Sequence, residues 1–205
     1  MKNKINKEEL EQELLDFAEG RMDFDTFRNL FFTKKYDSML DIDITHKYPY
    51  FWDKTVHDFI SNFLVGKIVY FYKDAICTAV ALYLEYNNIP VKKTTQYYDE
   101  IRFRHAIQPS YVYIEDTDFL NSIIQQAPEG MKKGEKKKWL KEKIKSMFKY
   151  DVKPPRWIQD PEWPIVNGKP LVFKSQTRLT INDERVFYTF YDPDTLEETV
   201  IMQFF

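Results

Sequence analysis

The sequence predicts an α+β fold, in which a helical N-terminal two thirds packs on a C-terminal antiparallel β-meander of three or four strands. Up to about residue 150, apolar residues recur at the three- and four-residue spacing of amphipathic helices. From residue 171 onward, short runs of β-branched and aromatic residues alternate with turn-forming residues. No flexible linker interrupts the chain, so we expect a single compact domain over 1–205, mainly helical over 1–150 and a strap plus meander over 151–205.

The composition is that of a globular protein. The chain has 205 residues, of which 43% are hydrophobic, 30% charged and 17% aromatic, with a net charge of −2. A near-neutral chain has no overall attraction to nucleic acid or to anionic lipid. The N-terminal segment lacks an apolar signal-peptide core, and no run is apolar over the roughly 18 residues of a membrane span. We therefore expect a soluble, cytoplasmic protein with no membrane partner.

Known catalytic and cofactor motifs are absent from the sequence. The single cysteine, Cys77, excludes an internal disulfide and a multi-cysteine zinc site, and it lies in an apolar run where a thiol behaves as a small hydrophobe. The five glycines form no phosphate-binding loop, and neither HExxH nor GxSxG occurs. We therefore predict no metal, no cofactor and no catalytic residue of a known pattern.

Helices are predicted where an apolar stripe follows a capping residue. The most apolar run, Ile68 to Tyr86, begins with β-branched and aromatic residues that a strand would also accept, but nothing in it alternates, so a helix is preferred. Tyr111 to Ile114 predicts a brief strand. The predicted helices cover 8–18 with Gly20 after it, a segment capped by Asp23, a short turn at 36–40, a segment capped by Thr55 and ended by Gly66, the run 68–86, a segment capped by Thr94 or Thr95, a segment capped by Asp116 or Thr117, and a lysine-rich segment after Met131.

The segment from Met131 to Tyr150 carries the strongest local charge. It holds nine lysines and two glutamates, a net charge of +7, so the remainder of the chain has −9. Leu140 and Ile144 stand at helical spacing within it, which predicts an amphipathic helix with a basic outer face. Such a face is either simply solvated or an electrostatic patch for an acidic protein, with Lys136, Lys137 and Lys141 as contact residues. Nucleic acid is disfavoured because arginine is nearly absent from the segment.

A proline-stiffened strap occupies residues 154–176. It contains five of the ten prolines and two of the four tryptophans of the chain. Proline fixes its own φ and restricts the preceding residue, so the strap is expected to be extended and pinned by its tryptophans across a core. Asn167-Gly168 predicts a type I′ hairpin turn. The strap is either scaffold or one wall of a groove in which Trp157, Gln159 and Trp163 contact a partner.

The meander is predicted from three runs, Leu171 to Gln176, Arg185 to Tyr191, and Glu198 to Phe204, with a turn at 192–195 joining the last two. Neither face of the middle strand is polar. Either both faces are covered, or one aromatic face is exposed for binding.

Three histidines, His46, His57 and His105, are candidates for chemistry. No two of them stand four residues apart on a helix. An enzymatic function would require His57, His105 and the acidic cluster at Glu115 to meet in space.

One motif resembles a known family. Trp163-Pro164, then Gly168, Pro170-Leu171, Phe173 and Gln176 resemble the WP and G-x-P-L-x-F-x-x-Q pattern of the YwqG-like family, and Phe187 to Asp192 resembles the strand that follows it. The resemblance covers about 45 of 205 residues. The Gly-Gly-x-Pro that usually precedes the WP is replaced by PPRWIQDPE. The resemblance implies a bacterial cytoplasmic protein of uncertain biochemistry, with relatives among immunity proteins that block a partner toxin, and it carries over no catalytic residues.

These observations leave three functional hypotheses. The first is a non-enzymatic protein-binding protein, immunity-like, that binds an acidic or toxin-like protein through the strap, the sheet face or the lysine helix. The second is an enzyme with an unrecognised His/carboxylate site. The third is a nucleic-acid-associated protein that uses Lys132 to Lys145. The oligomeric state is open.

Overall fold

The computed structural model describes residues 7–33, 36–48, 54–65, 70–178 and 184–204. Within these residues the helices precede the strands, and the predicted α+β class is confirmed. The helices are α1 (Lys7–Ala18), α2 (Phe24–Phe32), α3 (Asp37–Leu40), α4 (Val56–Leu64), α5 (Tyr70–Tyr86), α6 (Gln96–Ala106), α7 (Thr117–Gln125) and α8 (Lys133–Met147). The strands are β1 (Ile165–Val166), β2 (Lys169–Pro170), β3 (Val172–Thr177), β4 (Arg185–Tyr191) and β5 (Glu198–Phe204).

The chain divides into two compact units, residues 1–101 and residues 102–205. The division falls within α6, and each unit has an apolar core of its own. The single compact domain expected from the sequence stays a prediction.

The core of the first unit is built from helices. α5 packs against α1 and α4, and several side chains of its middle turns, including Cys77 and Val80, are fully buried. Phe27 stacks on Phe17 with 3.9 Å between ring centroids and on Tyr36 with 6.0 Å. The helix preferred for the apolar run is confirmed over 70–86, whereas 66–69, with the predicted stop at Gly66, lie outside the described residues.

The helix caps predicted at Asp23, Thr55 and Asp116 are confirmed, whereas the cap predicted at Thr94 or Thr95 stays a prediction. Asp23, Thr55 and Asp116 have extended backbones, and each side chain accepts a hydrogen bond from a backbone N–H in the first turn that follows. Gly20 ends α1 with a φ of +80°, and a Cβ there would lie 2.9 Å from Oγ1 of Thr94. Glycine therefore permits both the left-handed backbone at the end of α1 and the close approach of the segment that contains Thr94.

The core of the second unit joins α7 and α8 to a sheet. β3, β4 and β5 form an antiparallel three-stranded sheet in that order. Val186, Tyr188 and Phe190 of β4 are buried, as the period-two pattern predicts, and they pack in one cluster with Leu140 and Ile144 of α8.

The hairpin predicted at Asn167-Gly168 is also confirmed. β1 pairs with β2, and the two turn residues have φ values of +50° and +73°, as a type I′ turn requires.

The strand predicted at 111–114 is wrong. This segment is irregular, because its backbone groups take partners other than a strand. The N–H of Ile114 donates to Oε1 of the buried Gln108, and the N–H of Val112 donates to the carbonyl of Pro109. The carbonyl of Tyr111 accepts from the indole N–H of Trp157.

Candidate functional site

The two tryptophans of the strap are anchors of the second core. The indole N–H of Trp157 donates to the carbonyl of Tyr111 at 2.9 Å, and its ring centroid lies 4.4 Å from that of Tyr188. Trp163 is 6% exposed and donates to the carbonyl of Leu171 at 2.8 Å. Because a buried indole needs both apolar contact and an acceptor for its N–H, these contacts favour the scaffold interpretation of both side chains.

Gln159, the third predicted groove residue, is exposed but joins the strap to the sheet. Its backbone N–H donates to Oε1 of Gln203 at 3.2 Å, and its side-chain Nε2 donates to the carbonyl of Phe204 at 2.9 Å. Gln203 in turn is 1% exposed and donates from Nε2 to the carbonyl of Asp160 at 2.8 Å. The predicted groove residues therefore hold the strap against β4 and β5, with Gln159 exposed, Trp157 half-buried and Trp163 buried.

α8 presents the predicted basic face. Leu140 and Ile144 are fully buried, so the orientation of the helix is fixed by the core. The lysines surround that apolar stripe, with Lys137 exposed and Lys136 and Lys141 half-buried. Half burial of a lysine is typical of an aliphatic stem on apolar surface with the ammonium group in water.

The sheet exposes apolar side chains on the face that turns away from α7 and α8. Val200 is 56% exposed, Met202 42% and Phe204 48%. Their cross-strand neighbours on β4 include Phe187, over whose ring the guanidinium of Arg185 lies at 5.9 Å. Of the two possibilities left by the sequence, the structure shows an exposed apolar face.

The histidines proposed for an enzymatic site fall in different units. In the first unit, Nε2 of His57 lies 3.3 Å from a carboxylate oxygen of Asp37, and Nδ1 lies 3.5 Å from Oγ of Ser61. Its ring also stacks on that of Phe31 at 5.0 Å. His57 thus meets a carboxylate that the sequence did not indicate.

In the second unit, His105 is on the rim of an open cleft of about 440 Å³. A carboxylate, that of Asp160 in the strap, lines the same cleft, and the His105 ring lies 6.0 Å from the ring of Tyr113. Further lining residues are Gln108, Pro109, Ser110, Val112 and Pro161. Glu115, the carboxylate suggested by the sequence, is not among these lining residues.

Two further features bear on the possible ligands. Among the described residues, no three histidine, cysteine, aspartate or glutamate side chains come together as a metal site would require. None of the helices in the described ranges combines the length and hydropathy of a membrane span.

The cleft and the exposed sheet face are the features that sequence reasoning did not locate. The alternation in β4 showed that one face could be exposed, but not which one. The cleft had no sequence signal, since it is formed by the end of α6, by the irregular segment that follows it to residue 113, and by two strap residues about 50 positions away.

Comparison with protein-family models, with curated proteins and with solved structures finds no match to this chain. The resemblance to the YwqG-like family therefore stays a prediction.

Proposed function

We propose that this protein binds another protein without catalysing a reaction, and that the lysine face of α8 docks an acidic surface of its partner. The observation that carries the proposal is the net charge of +7 over 131–150, most of it on one helix that is held in place by buried Leu140 and Ile144. A charge of this density on a rigid element steers an oppositely charged partner into contact.

The arrangement of the lysines supports a docking face. Lys137, Lys141 and Lys145 are spaced by four residues, so they lie along one side of α8. Lys145 lies 2.7 Å from a carboxylate oxygen of Glu142 on the same helix. Among the described residues, Lys137 and Lys141 have no carboxylate within ion-pair distance, so this part of the stripe is not neutralised by them.

The choice of a protein partner rests on the chemistry of lysine. An ammonium group is a compact point charge, whereas specific readout of phosphate or of bases relies on the planar fork of arginine. The segment 131–150 contains no arginine. Carboxylates on an acidic protein surface fit this stripe better than a nucleic-acid backbone does.

An immunity-like role is the specific form of this proposal. Its support is the resemblance of about 45 residues, from Trp157 on, to the YwqG-like family, some relatives of which block a toxin. The partner would then be a toxin with an acidic face opposite α8.

The test uses the purified product of the neighbouring gene as the candidate partner. Replacing Lys137→Glu and Lys141→Glu together is expected to raise the dissociation constant at least about tenfold, because two attractive charge contacts become repulsive. Replacing Lys92→Glu and Lys153→Glu together reverses two exposed charges outside α8, is the matched control, and is expected to leave binding unchanged. Equal effects of the two variants would overturn the assignment of this face.

Nucleic acid is the other arm of the same experiment. A duplex DNA or RNA of about 20 base pairs is titrated at several salt concentrations, where phosphate contacts appear as a steep fall of affinity with salt. We call the protein with Lys137→Glu and Lys141→Glu the α8 variant. Tight, salt-sensitive binding of nucleic acid that the α8 variant abolishes would show that the partner is a nucleic acid and not a protein.

A second candidate function, catalysis, is favoured by one observation, namely that His105 and Asp160 line the same cleft. An imidazole and a carboxylate in one cleft are the groups used for general acid–base chemistry. A panel of p-nitrophenyl esters and phosphates tests this function. Turnover that His105→Ala and Asp160→Asn both abolish, while the α8 variant retains it, would support an enzyme instead.

A further inference from the structure

Among the strands of the described ranges, β5 stands at an edge of its sheet and is regular over its whole length. It pairs with β4 through seven consecutive residue pairs without a bulge. The opposite edge of the sheet is partly covered, because the N–H of Phe173 donates to the carbonyl of Lys149 and its carbonyl accepts from the N–H of Asp151. At the β5 edge, Nε2 of Gln159 donates a hydrogen bond to the carbonyl of Phe204.

The direction of the backbone groups of β5 follows from these bonds. Since both groups of Phe173 point away from β4, its pair with Phe190 is a non-hydrogen-bonded one, and Phe190 turns its groups toward β5. The N–H of Asp192 donates to the carbonyl of Glu197, which agrees with this direction, because residues 190 and 192 are two positions apart and turn their backbone groups to the same side.

This alternation determines which backbone groups of β5 face β4 and which face the open edge of the sheet. Thr199, Ile201 and Gln203 direct their N–H and C=O groups to β4, and the alternate residues direct theirs to the open edge. The side chain of Gln159 bonds the carbonyl of Phe204 from outside, as this assignment requires. The outward set consists of Glu198, Val200, Met202 and Phe204.

The same outward residues carry the exposed apolar side chains. Val200, Met202 and Phe204 are each between 42% and 56% exposed. Proteins protect an edge with lysine, proline, a bulge or a very short strand. β5 has seven residues, none of them proline or lysine, and the bulge of the sheet lies in β3 instead. Between the charged Glu198 at its start and the carbonyl of Phe204 that Gln159 contacts at its end, the edge is apolar and is a template for another strand.

We propose that β5 pairs with β5 of a second copy of this chain, antiparallel about a two-fold axis, so that two three-stranded sheets become one of six strands. A register centred on Ile201 places Val200 opposite the partner's Met202, and Glu198 opposite the partner's Phe204. Val200 and Met202 both have outward backbone groups, so each Val200–Met202 pair exchanges two hydrogen bonds, whereas at the Glu198–Phe204 pair the carbonyl of Phe204 is shared with Nε2 of Gln159 in its own copy. A two-fold interface requires such a self-complementary register.

Charge complementarity favours a second copy over an unrelated strand. Within one copy, Arg185 stands opposite Phe204, and Lys174 of β3 reaches Glu198 across the intervening β4. In the proposed register, Glu198 lies opposite the partner's Phe204. The partner's Arg185 stands opposite that Phe204 on the next strand, so one strand separates it from Glu198. The Lys174–Glu198 pair shows that long side chains bridge this separation. The symmetric interface places each Glu198 carboxylate, which Lys174 of its own copy already contacts, on the side of the partner's Arg185 as well.

The first test measures the mass of the full-length protein by sedimentation over a range of concentrations. A dimer is expected, and a protein that stays monomeric at millimolar concentration would overturn the proposal. Met202→Pro removes an N–H that the sheet does not use internally, so the monomer is expected to keep its fold while the dimer dissociation constant rises about tenfold or more.

Two lysine variants separate edge pairing from contact through the sheet face. Val200→Lys places a charge at the edge and is expected to give monomers. Thr189→Lys places the same charge on the same face of the central strand, as a matched control, and is expected to remain dimeric. Near-ultraviolet circular dichroism checks that each variant is folded. A dimer in Val200→Lys, or loss of the dimer in Thr189→Lys, would contradict edge pairing.

The register has its own test. Ile201 pairs with itself on the axis at a non-hydrogen-bonded position, where Cβ atoms are close enough for a disulfide. With oxidised glutathione as oxidant, Ile201→Cys is expected to cross-link two copies, while Thr199→Cys is not; Cys77 is buried and does not interfere. The reverse result would exclude this register. The α8 variant is expected to dimerise normally, so failure of the dimer and failure of the partner proposal are distinguishable.

Discussion

The two units of this protein fill their cores with similar side chains but satisfy their backbones differently. In the first unit the core is supplied by helices, and stacked rings such as Phe17 and Phe27 lie between them. In the second unit, irregular segments run beside the sheet, and buried side chains hold their backbone groups. Gln108, Trp157 and Gln203 each donate to, or accept from, the backbone of such a segment.

The difference shows what an irregular segment requires in order to line a core. A helix pairs its own N–H and C=O groups, so it needs only apolar contact. Residues 154–164 of the strap have no such ladder, and each of their buried polar groups must find a partner elsewhere in the unit. We therefore expect the second unit to be sensitive to loss of single hydrogen bonds, and the first to be sensitive mainly to loss of volume.

The largest effect is expected from truncating the anchor rings. Trp163→Ala and Phe27→Ala should each lower the free energy of unfolding by about 3–5 kcal/mol, because both leave cavities in a core. The units are distinguished by the milder changes. Phe27→Leu should recover most of the loss, whereas Trp163→Phe should recover less, since the carbonyl of Leu171 loses its donor.

Chemical denaturation of these four variants checks the expectation. Equal recovery by Phe27→Leu and Trp163→Phe would show that the indole hydrogen bond contributes little, and the contrast between the units would fail at this site.

A smaller effect is expected from removing a polar anchor. Gln108→Leu keeps the volume but leaves the buried N–H of Ile114 without its acceptor, which should cost about 1–3 kcal/mol of unfolding free energy. The counterpart in the first unit is Tyr36→Phe, which removes the hydrogen bond to Glu13. Its expected cost is below about 1.5 kcal/mol, because the Glu13 carboxylate is only half-buried and can reach water.

Hydrogen exchange at the Ile114 amide provides a local check on Gln108→Leu. Unchanged protection of that amide would mean that water or another group replaces the glutamine.

Alkaline pH is expected to weaken the first unit through its buried phenol. Burial raises the pKa of Tyr97 to about 12, whereas an unfolded tyrosine ionises near about 10. Below pH 10 the contribution of the neutral phenol is complete. As pH rises through that interval, the unfolded state releases its proton first, so stability falls until the folded group ionises as well. Denaturation midpoints at several pH values, compared with Tyr97→Phe, test this. The variant should have the shallower decline.

The smallest effects are expected at helix starts, where the two units do not differ. Thr55 caps α4 by accepting from the N–H of Asp58, and Asp116 caps α7 by accepting from two backbone N–H groups. Alanine at either position should cost about 1 kcal/mol. Asparagine at position 116 should restore the loss, which separates the cap hydrogen bond from the charge. A much larger cost in one unit would mean that the cap also holds tertiary structure.

The features that sequence predicted well are those decided by near neighbours. The bounds of β4 and β5 follow from alternation between turn residues, the type I′ turn from Asn167-Gly168, and the helix starts from their caps. Each of these depends on residues within a few positions, so the local pattern contains the necessary information.

The features that sequence did not predict depend on distant partners. Residues 111–114 have the composition of a strand, but Trp157, 46 positions away, takes the carbonyl of Tyr111. Which backbone groups of β5 face the open edge follows from the alternation across the sheet, which is set by the bonds of Phe173, two strands away, to residues 149–151. Tertiary partners of this kind override local propensity, and no periodicity records them.

Cys77 makes the first unit observable on its own. Its thiol is buried and lies 3.6 Å from the carbonyl of Ala18, and burial raises its pKa to about 12. At neutral pH only about one thiol in 10⁵ is a thiolate, and that fraction is shielded from reagents. Alkylation must therefore wait for a fluctuation that brings this side chain to solvent. Because the sequence contains no other cysteine, the rate at which an alkylating reagent labels the native protein measures how often the core around Cys77 opens. The second unit contributes no signal to this measurement.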